Sequence, residues 1–169
     1  MGRVLVDRGI GLVYGGGNVG LMGIIADTVL AGGGEVIGVI PEALLAREVG
    51  HLGLTEMHVV RTMHERKAMM ADRADAFVAL PGGFGTFEEF CEVLTWSQLG
   101  FHPKPCGLLN VAGYYDPLLA LFDRGVAEGF VPSHHRALVI EETDPARLLD
   151  RFAGFRPPST SKWITRDER

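Results

Sequence analysis

Two cysteines in 169 residues, Cys91 and Cys106, exclude a disulfide framework, and with no CxxC and no paired histidines at ligand spacing they do not indicate a zinc site. Both read as small core residues. Long apolar runs are missing as well: nothing approaches the roughly 18 to 20 apolar residues of a membrane span. The start, MGRVLVDRGIG, lacks the basic-then-apolar form of a secretion signal. The cytoplasm is therefore the expected compartment. An excess of basic residues is also lacking. With a net charge of −5 the chain is not expected to bind nucleic acid or an anionic membrane, so any bound anion must be held locally. His51, His58 and His64 form no HExxH or similar ligand set, and no metal is expected. There is no Gly-x-Ser-x-Gly turn, and Ser97 has no base partner visible in the sequence.

What the chain has in quantity is glycine, 23 residues of it, punctuating short apolar segments. Six β-like runs, at 10–14, 35–40, 55–61, 75–79, 105–109 and 137–142, are apolar almost throughout, as strands covered on both faces must be. Helical patterns alternate with them at 19–31, 63–74, 87–99, 117–128 and 145–152. This βαβ rhythm predicts an α/β fold, a Rossmann-like doubly wound parallel sheet in three α/β/α layers. Ligands of such sheets bind beyond the carboxyl ends of the strands. One nucleotide-binding catalytic domain is expected over 1–153, followed by a loosely ordered tail over 154–169. Residues 3–8 read as the last turns of a helix with Gly9 as its stop. A helix ending so early suggests that a strand and most of its helix are missing before it, which would interrupt the pairing of a sheet whose first strand is central.

Two glycine-rich turns follow strands and open helices. Gly15-x-Gly17-x-x-Gly20 has dinucleotide spacing, but the next strand ends in Ile40-Pro41 rather than in a ribose-binding acid. The turn is either an anion-binding loop, with Gly15, Gly16, Gly17 and Asn18 as candidates, or a tight connection in which glycine serves only close packing. The second turn, Leu80-Pro-Gly-Gly-Phe-Gly-Thr-Phe-Glu-Glu89, has glycines that let backbone N–H groups converge at a helix N-terminus, where a phosphate fits. No Lys-Ser/Thr follows, so it is not a P-loop. Thr86 and Glu89 also have capping-box spacing. Capping does not account for two anions, Glu88 and Glu89, beside a phosphate site. They suit a centre that becomes cationic, such as a sugar carbon losing its leaving group. Thr62 and Glu65 form a second capping-box candidate, and Arg66 and Lys67 then fall near a helix start that disfavours cations. They are either a solvated surface pair or hold a phosphate or carboxylate, Arg66 in bidentate fashion.

The motifs Tyr14-Gly-Gly-Gly-Asn-Val-Gly-Leu-Met-Gly23, Met63-His-Glu-Arg-Lys-Ala68 and Pro81-Gly-Gly-Phe-Gly-Thr-Phe-Glu-Glu89 occur in this order. Together they closely resemble the LONELY GUY family of cytokinin riboside 5′-monophosphate phosphoribohydrolases, whose members are sometimes labelled lysine decarboxylases. The likeness continues through Gly38–Pro41, Trp96–Gly100, Gly107–Asn110 and Gly113–Tyr115, so it covers roughly residues 5 to 150. The resemblance implies hydrolysis of the N-glycosidic bond of an adenine-type nucleoside 5′-monophosphate, without a cofactor, by a homodimer with its site near the interface. It implies that Arg66 and Glu89 are the catalytic pair, and that Glu48, Arg66, Lys67, Gly82, Gly83, Phe84, Gly85, Thr86, Glu88 and Thr95 contact the nucleotide. Family members ordinarily carry a further strand, a Gly/Ser loop and a helix before the first residues matched here. The alternative is a non-catalytic nucleotide or molybdenum-cofactor carrier of the same Rossmann-like group.

Overall fold

The computed structural model describes residues 1–48 and 50–157, with residues 46–48 described by their backbone alone. Most of the expected tail, 158–169, and the side chain of Glu48 therefore lie outside the described residues. The chain divides into two compact units, Met1–Ala74 and Asp75–Arg169.

The first unit runs α1 (Gly2–Asp7), β1 (Leu12–Tyr14), α2 (Gly20–Ala31), β2 (Val36–Pro41), α3 (Glu42–Glu48), β3 (Glu56–Val60) and α4 (Met63–Arg73). Its strands form a parallel sheet in the order β1-β2-β3, with Leu12 opposite Val36 and Ile37 opposite Glu56. In β2, Val36, Gly38, Val39, Ile40 and Pro41 are all buried, so successive residues on opposite faces are covered. Helix α4 packs on all three strands, and α1 on α2. The early helix end holds: α1 closes at Arg8, and Gly9 follows with φ of +63°.

The second unit runs β4 (Phe77–Ala79), α5 (Phe84–Gln98), β5 (Cys106–Leu109), a 3-10 turn (Val111–Gly113), α6 (Asp116–Ala127), α7 (Ser133–Arg136), β6 (Val139–Glu142) and α8 (Pro145–Ala153). Its sheet is also parallel, in the order β4-β5-β6. Ala79, Phe90, Cys106, Leu108, Tyr115, Leu119 and Val139 make its core. Cys106 is the small core residue the sequence suggests, and burial pushes its thiol up to about 12. Cys91 is only half-buried; burial and then the Glu88 charge raise its thiol too.

Every strand and helix expected from the alternation is present, and the fold is of the α/β class with parallel strands. Among the described residues the six strands pair as two sets of three, β1–β3 and β4–β6. Helices α3 and α7, with seven and four residues, are additions that the sequence pattern did not signal. Each is too short to show a 3.6-residue repeat.

Candidate functional site

Parallel strands deliver their carboxyl ends to one edge, so in each unit the loops after neighbouring strands converge there. In the first unit α4 begins on a cap that matches the sequence: Thr62 Oγ1 accepts from Glu65 N at 3.1 Å. The Glu65 carboxylate reaches one residue further back than a capping box requires. Its Oε2 accepts from Arg61 N at 2.9 Å and its Oε1 from the Arg61 guanidinium at 3.1 Å. The Arg61 backbone bond is the largest cause that holds the Glu65 carboxyl below its ordinary range.

One residue on, Arg66 turns inward and is only 8% exposed. The surface-pair alternative for Arg66 is thereby corrected, because a solvated arginine would not give up its hydration. Its Nη1 lies 3.7 Å from Met63 Sδ, and its guanidinium lies across the backbone of Gly15: a Cβ there would come within 1.9 Å of Nη2 and 3.0 Å of Cζ. Lys67 beside it is half-buried.

The first glycine turn is thus occupied by packing at two of its positions. Gly15 makes room for Arg66, and Gly16, at φ of +73°, lies against Ile40 and Met57. Gly17 bridges Gly50, and Gly16 O accepts from His51 N at 3.1 Å. Gly15 to Gly17 are buried, whereas Asn18 is exposed. His51 is buried; its Nε2 lies 2.9 Å from Asp27 Oδ1, while its buried Nδ1 has no hydrogen-bond partner among the described residues. Tyr14, the last residue of β1, is 6% exposed, and burial followed by the Asp27 charge pushes its phenol up to about 12.

In the second unit the Thr86 capping reading needs correction. The N-cap of α5 is Gly83, the helix starts at Phe84, and Thr86 lies within the first turn. The first helical bond runs from Phe87 N to Gly83 O, so the N–H groups of Gly83, Phe84, Gly85 and Thr86 have no acceptor one turn back. Glycine at 82 is needed because Thr86 Oγ1 would lie 2.2 Å from a Cβ, while a Cβ at Gly83 or Gly85 would meet nothing within 4 Å. That opening is where an anion can approach the helix end. Glu88 and Glu89 stand three and four residues after Gly85, on the face it leaves bare, and helical side chains lean towards the N-terminus. Glu88 is exposed and Glu89 half-buried. Phe84 is 90% exposed, edge-on to Phe87. Thr95 stands apart: it lies nine residues beyond Thr86, roughly 13 Å along the axis, and its hydroxyl donates to Cys91 O at 2.7 Å.

Sequence reasoning missed the scaffold beneath this turn. Tyr114 and Tyr115, in the loop after β5, donate their phenols to the carbonyls of Gly82 and Leu80, each at 2.5 Å. Asn110, 2% exposed, sets that loop: its Oδ1 accepts from Tyr115 N, and its Nδ2 donates to Asp116 Oδ1 and Glu141 Oε1, all at 2.7 Å. The loop passes through the left-handed region at Ala112 (φ +52°) and Gly113 (φ +73°). For alanine this costs about 1 kcal/mol. The only signal in the sequence was Gly113-Tyr-Tyr115, which carried a likeness but no role.

Two expected results follow from this scaffold. Asn110→Ala lowers unfolding stability by about 3 kcal/mol in urea, since two bonds to carboxylates and the acceptor for a buried N–H go together. Burial, aided by Tyr114, also pushes the Tyr115 phenol up to about 12. Tyr14 and Tyr115 then stay protonated in the folded chain at pH values where an unfolded phenol, near 10, ionises. Their stabilising contribution is complete below pH 10 and is lost as pH rises to 12. Absorbance at 295 nm and circular dichroism followed over that range should change together.

The family model described as "Possible lysine decarboxylase" matches residues 22–152. The "Probable cytokinin riboside 5′-monophosphate phosphoribohydrolase LOGL1" of Oryza sativa subsp. japonica is 59% identical over 155 residues, 92% of this chain and 70% of that protein. The phosphoribohydrolases LOG of the same plant and LOG2 of Arabidopsis thaliana are 52% and 53% identical. They are covered over 65% and 72% of their lengths, for 93% and 90% of this chain. The chain thus spans about two thirds of the length of these relatives. Among solved structures, the molybdenum cofactor binding protein of Rippkaea orientalis aligns with a TM-score of 0.66 over 90% of this chain and 82% of its own, at 20% identity. The molybdenum cofactor carrier protein of Chlamydomonas reinhardtii gives 0.65 over 91% and 84%, also at 20%. These two likenesses bear on the fold, and both are consistent with a Rossmann-like α/β architecture. The three ordered motifs, the family model over most of the chain and identities above one half agree: the chain belongs to the LONELY GUY family, described in that model as possible lysine decarboxylase.

Proposed function

We propose that the protein hydrolyses the N-glycosidic bond of cytokinin riboside 5′-monophosphates and of AMP, yielding the free adenine-type base and D-ribose 5-phosphate. The observation that carries this reading, beside the activity named for its relatives, is the start of α5. The open helix start at Gly83 and Gly85 is followed, three and four residues after Gly85, by Glu88 and Glu89.

Such a pairing suits one substrate that is anionic at one end and becomes cationic at the other. As the bond from C1′ to the base nitrogen lengthens, positive charge grows on the sugar ring in an oxocarbenium-like state. A carboxylate next to it lowers that barrier and can orient water and take its proton. Water oxygen then bonds to C1′, and the base departs with the bonding electron pair and gains a proton. We assign the carboxylate to Glu89, with Glu88 beside it. The amides of Gly82, Gly83 and Gly85, with Phe84 and Thr86 around them, receive the 5′-phosphate. Arg66 holds phosphate or ribose oxygens in attack geometry, backed by Lys67. Gly15 to Asn18 remain the phosphate-loop candidates of the first unit, and Glu48 and Thr95 further nucleotide contacts. The same reading has the chain working as one catalytic domain over 1–153, as a cytoplasmic homodimer, without metal or cofactor.

Chromatography after incubation with AMP and with isopentenyladenosine 5′-monophosphate tests the reaction: free base and ribose 5-phosphate should appear in equal amounts. Nucleotide binding without release of base would instead favour a carrier. Sedimentation at micromolar concentration tests the dimer, which a monomeric mass would refute.

A further inference from the structure

We propose that Tyr114 is a positioning residue that aims the Gly83 N–H at the substrate's phosphate, an assignment that rests on the phosphoribohydrolase reading above. The argument starts from the planarity of the peptide unit: in a trans peptide the carbonyl oxygen and the N–H point in opposite directions. No cis peptide occurs among the described residues. Tyr114 Oη donates to Gly82 O at 2.5 Å, so it fixes the plane of the peptide joining Gly82 to Gly83. The N–H of Gly83 must then point away from the tyrosine. Gly83 is exposed and meets nothing within 4 Å on its Cβ side. Two glycines in succession would otherwise let this plane rotate at little cost, and the N–H with it.

Tyr115 provides an internal comparison. Its phenol also holds a carbonyl of the same turn, that of Leu80, at 2.5 Å. The next residue is Pro81, which has no N–H, so this bond holds the turn without aiming any donor. Tyr115 is 1% exposed and belongs to the core, whereas Tyr114 is 45% exposed and keeps its ring stacked on Phe87 at 6.4 Å. A buried tyrosine bonded to a carbonyl is an ordinary structural feature. A half-exposed one, presented by a loop that passes through the left-handed region at Ala112 and Gly113 just before it, is better explained by what its bond directs.

The variants Tyr114→Phe and Tyr115→Phe each remove one hydroxyl and keep the ring. For the full chain, calorimetric titration with ribose 5-phosphate and with adenine, together with AMP kinetics, separates the two roles. Tyr114→Phe is expected to weaken ribose 5-phosphate binding and raise the KM for AMP about tenfold. Its kcat and its adenine binding should stay within twofold of wild type, as loss of uniform phosphate binding requires. Tyr115→Phe should lower the melting temperature while leaving ribose 5-phosphate affinity unchanged. The assignment is overturned if Tyr114→Phe binds ribose 5-phosphate like wild type, if Tyr115→Phe loses that affinity equally, or if the wild type does not bind it. A wild type that binds ribose 5-phosphate but releases no base would refute the proposed reaction alone, and the Tyr114 assignment would still be read from the binding arm.

Discussion

Glu89→Gln is expected to lower the rate of base release from AMP by about a thousandfold while ribose 5-phosphate still binds. The substitution keeps the size and shape of the side chain, removes its charge and basicity, and exchanges one acceptor oxygen for an NH2 donor. Glu89 is half-buried on α5, one turn beyond Gly85. A neutral amide there would neither balance charge on the sugar ring nor take a proton from water. The amides proposed to receive the phosphate belong to the backbone and would not change, so the loss should fall on kcat rather than on KM. Turnover near the wild-type value with intact binding would remove Glu89 from the mechanism. Glu88→Gln, at the exposed neighbour, is the natural comparison and should cost less, because a solvated carboxylate is screened.

A smaller but still large loss, on the order of a hundredfold in rate, is expected from Gly15→Ala, a change of one methyl group at a candidate phosphate-loop residue that makes room for Arg66. The backbone of Gly15 is not in the left-handed region, so alanine itself is conformationally acceptable there. What it meets is the Arg66 guanidinium, 1.9 Å from the new Cβ. No contact survives that separation, so the arginine must move, and it is buried with little room in which to do so. A displacement of about 1 Å in a positioning group costs on the order of a hundredfold in rate. A double-mutant cycle identifies the cause. In an Arg66→Ala background the same alanine at 15 has nothing to strike, and its additional cost in kcat/KM should fall to about twofold. Full additivity would mean that Gly15 serves the turn itself, as an anion loop would, and not the arginine.

The alternation of apolar runs with helical patterns was sufficient to place all six strands and the longer helices, because burial on both faces and a 3.6-residue repeat are written locally. The same holds for the Thr62 cap and for the glycine after α1. The start of α5 was legible as a glycine-rich helix N-terminus with two carboxylates, but not to the residue: any of Gly83, Gly85 or Thr86 could have capped it, and the choice of Gly83 brings Thr86 over Gly82.

Other features depend on residues far apart in the chain. Whether Arg66 was a surface cation or a buried one could not be read from its own helix, since the answer lies in the loop at Gly15, fifty-one residues earlier. The pinning of the Leu80 to Gly82 turn by Tyr114 and Tyr115 arises because β4 and β5 are parallel neighbours whose carboxyl ends share an edge. Composition and periodicity alone therefore determined the kind of fold and which short motifs could bind an anion or face a cation. Only the tertiary structure decided which glycines make room for a side chain and which face open space, because that depends on atoms brought close by strand pairing rather than by sequence.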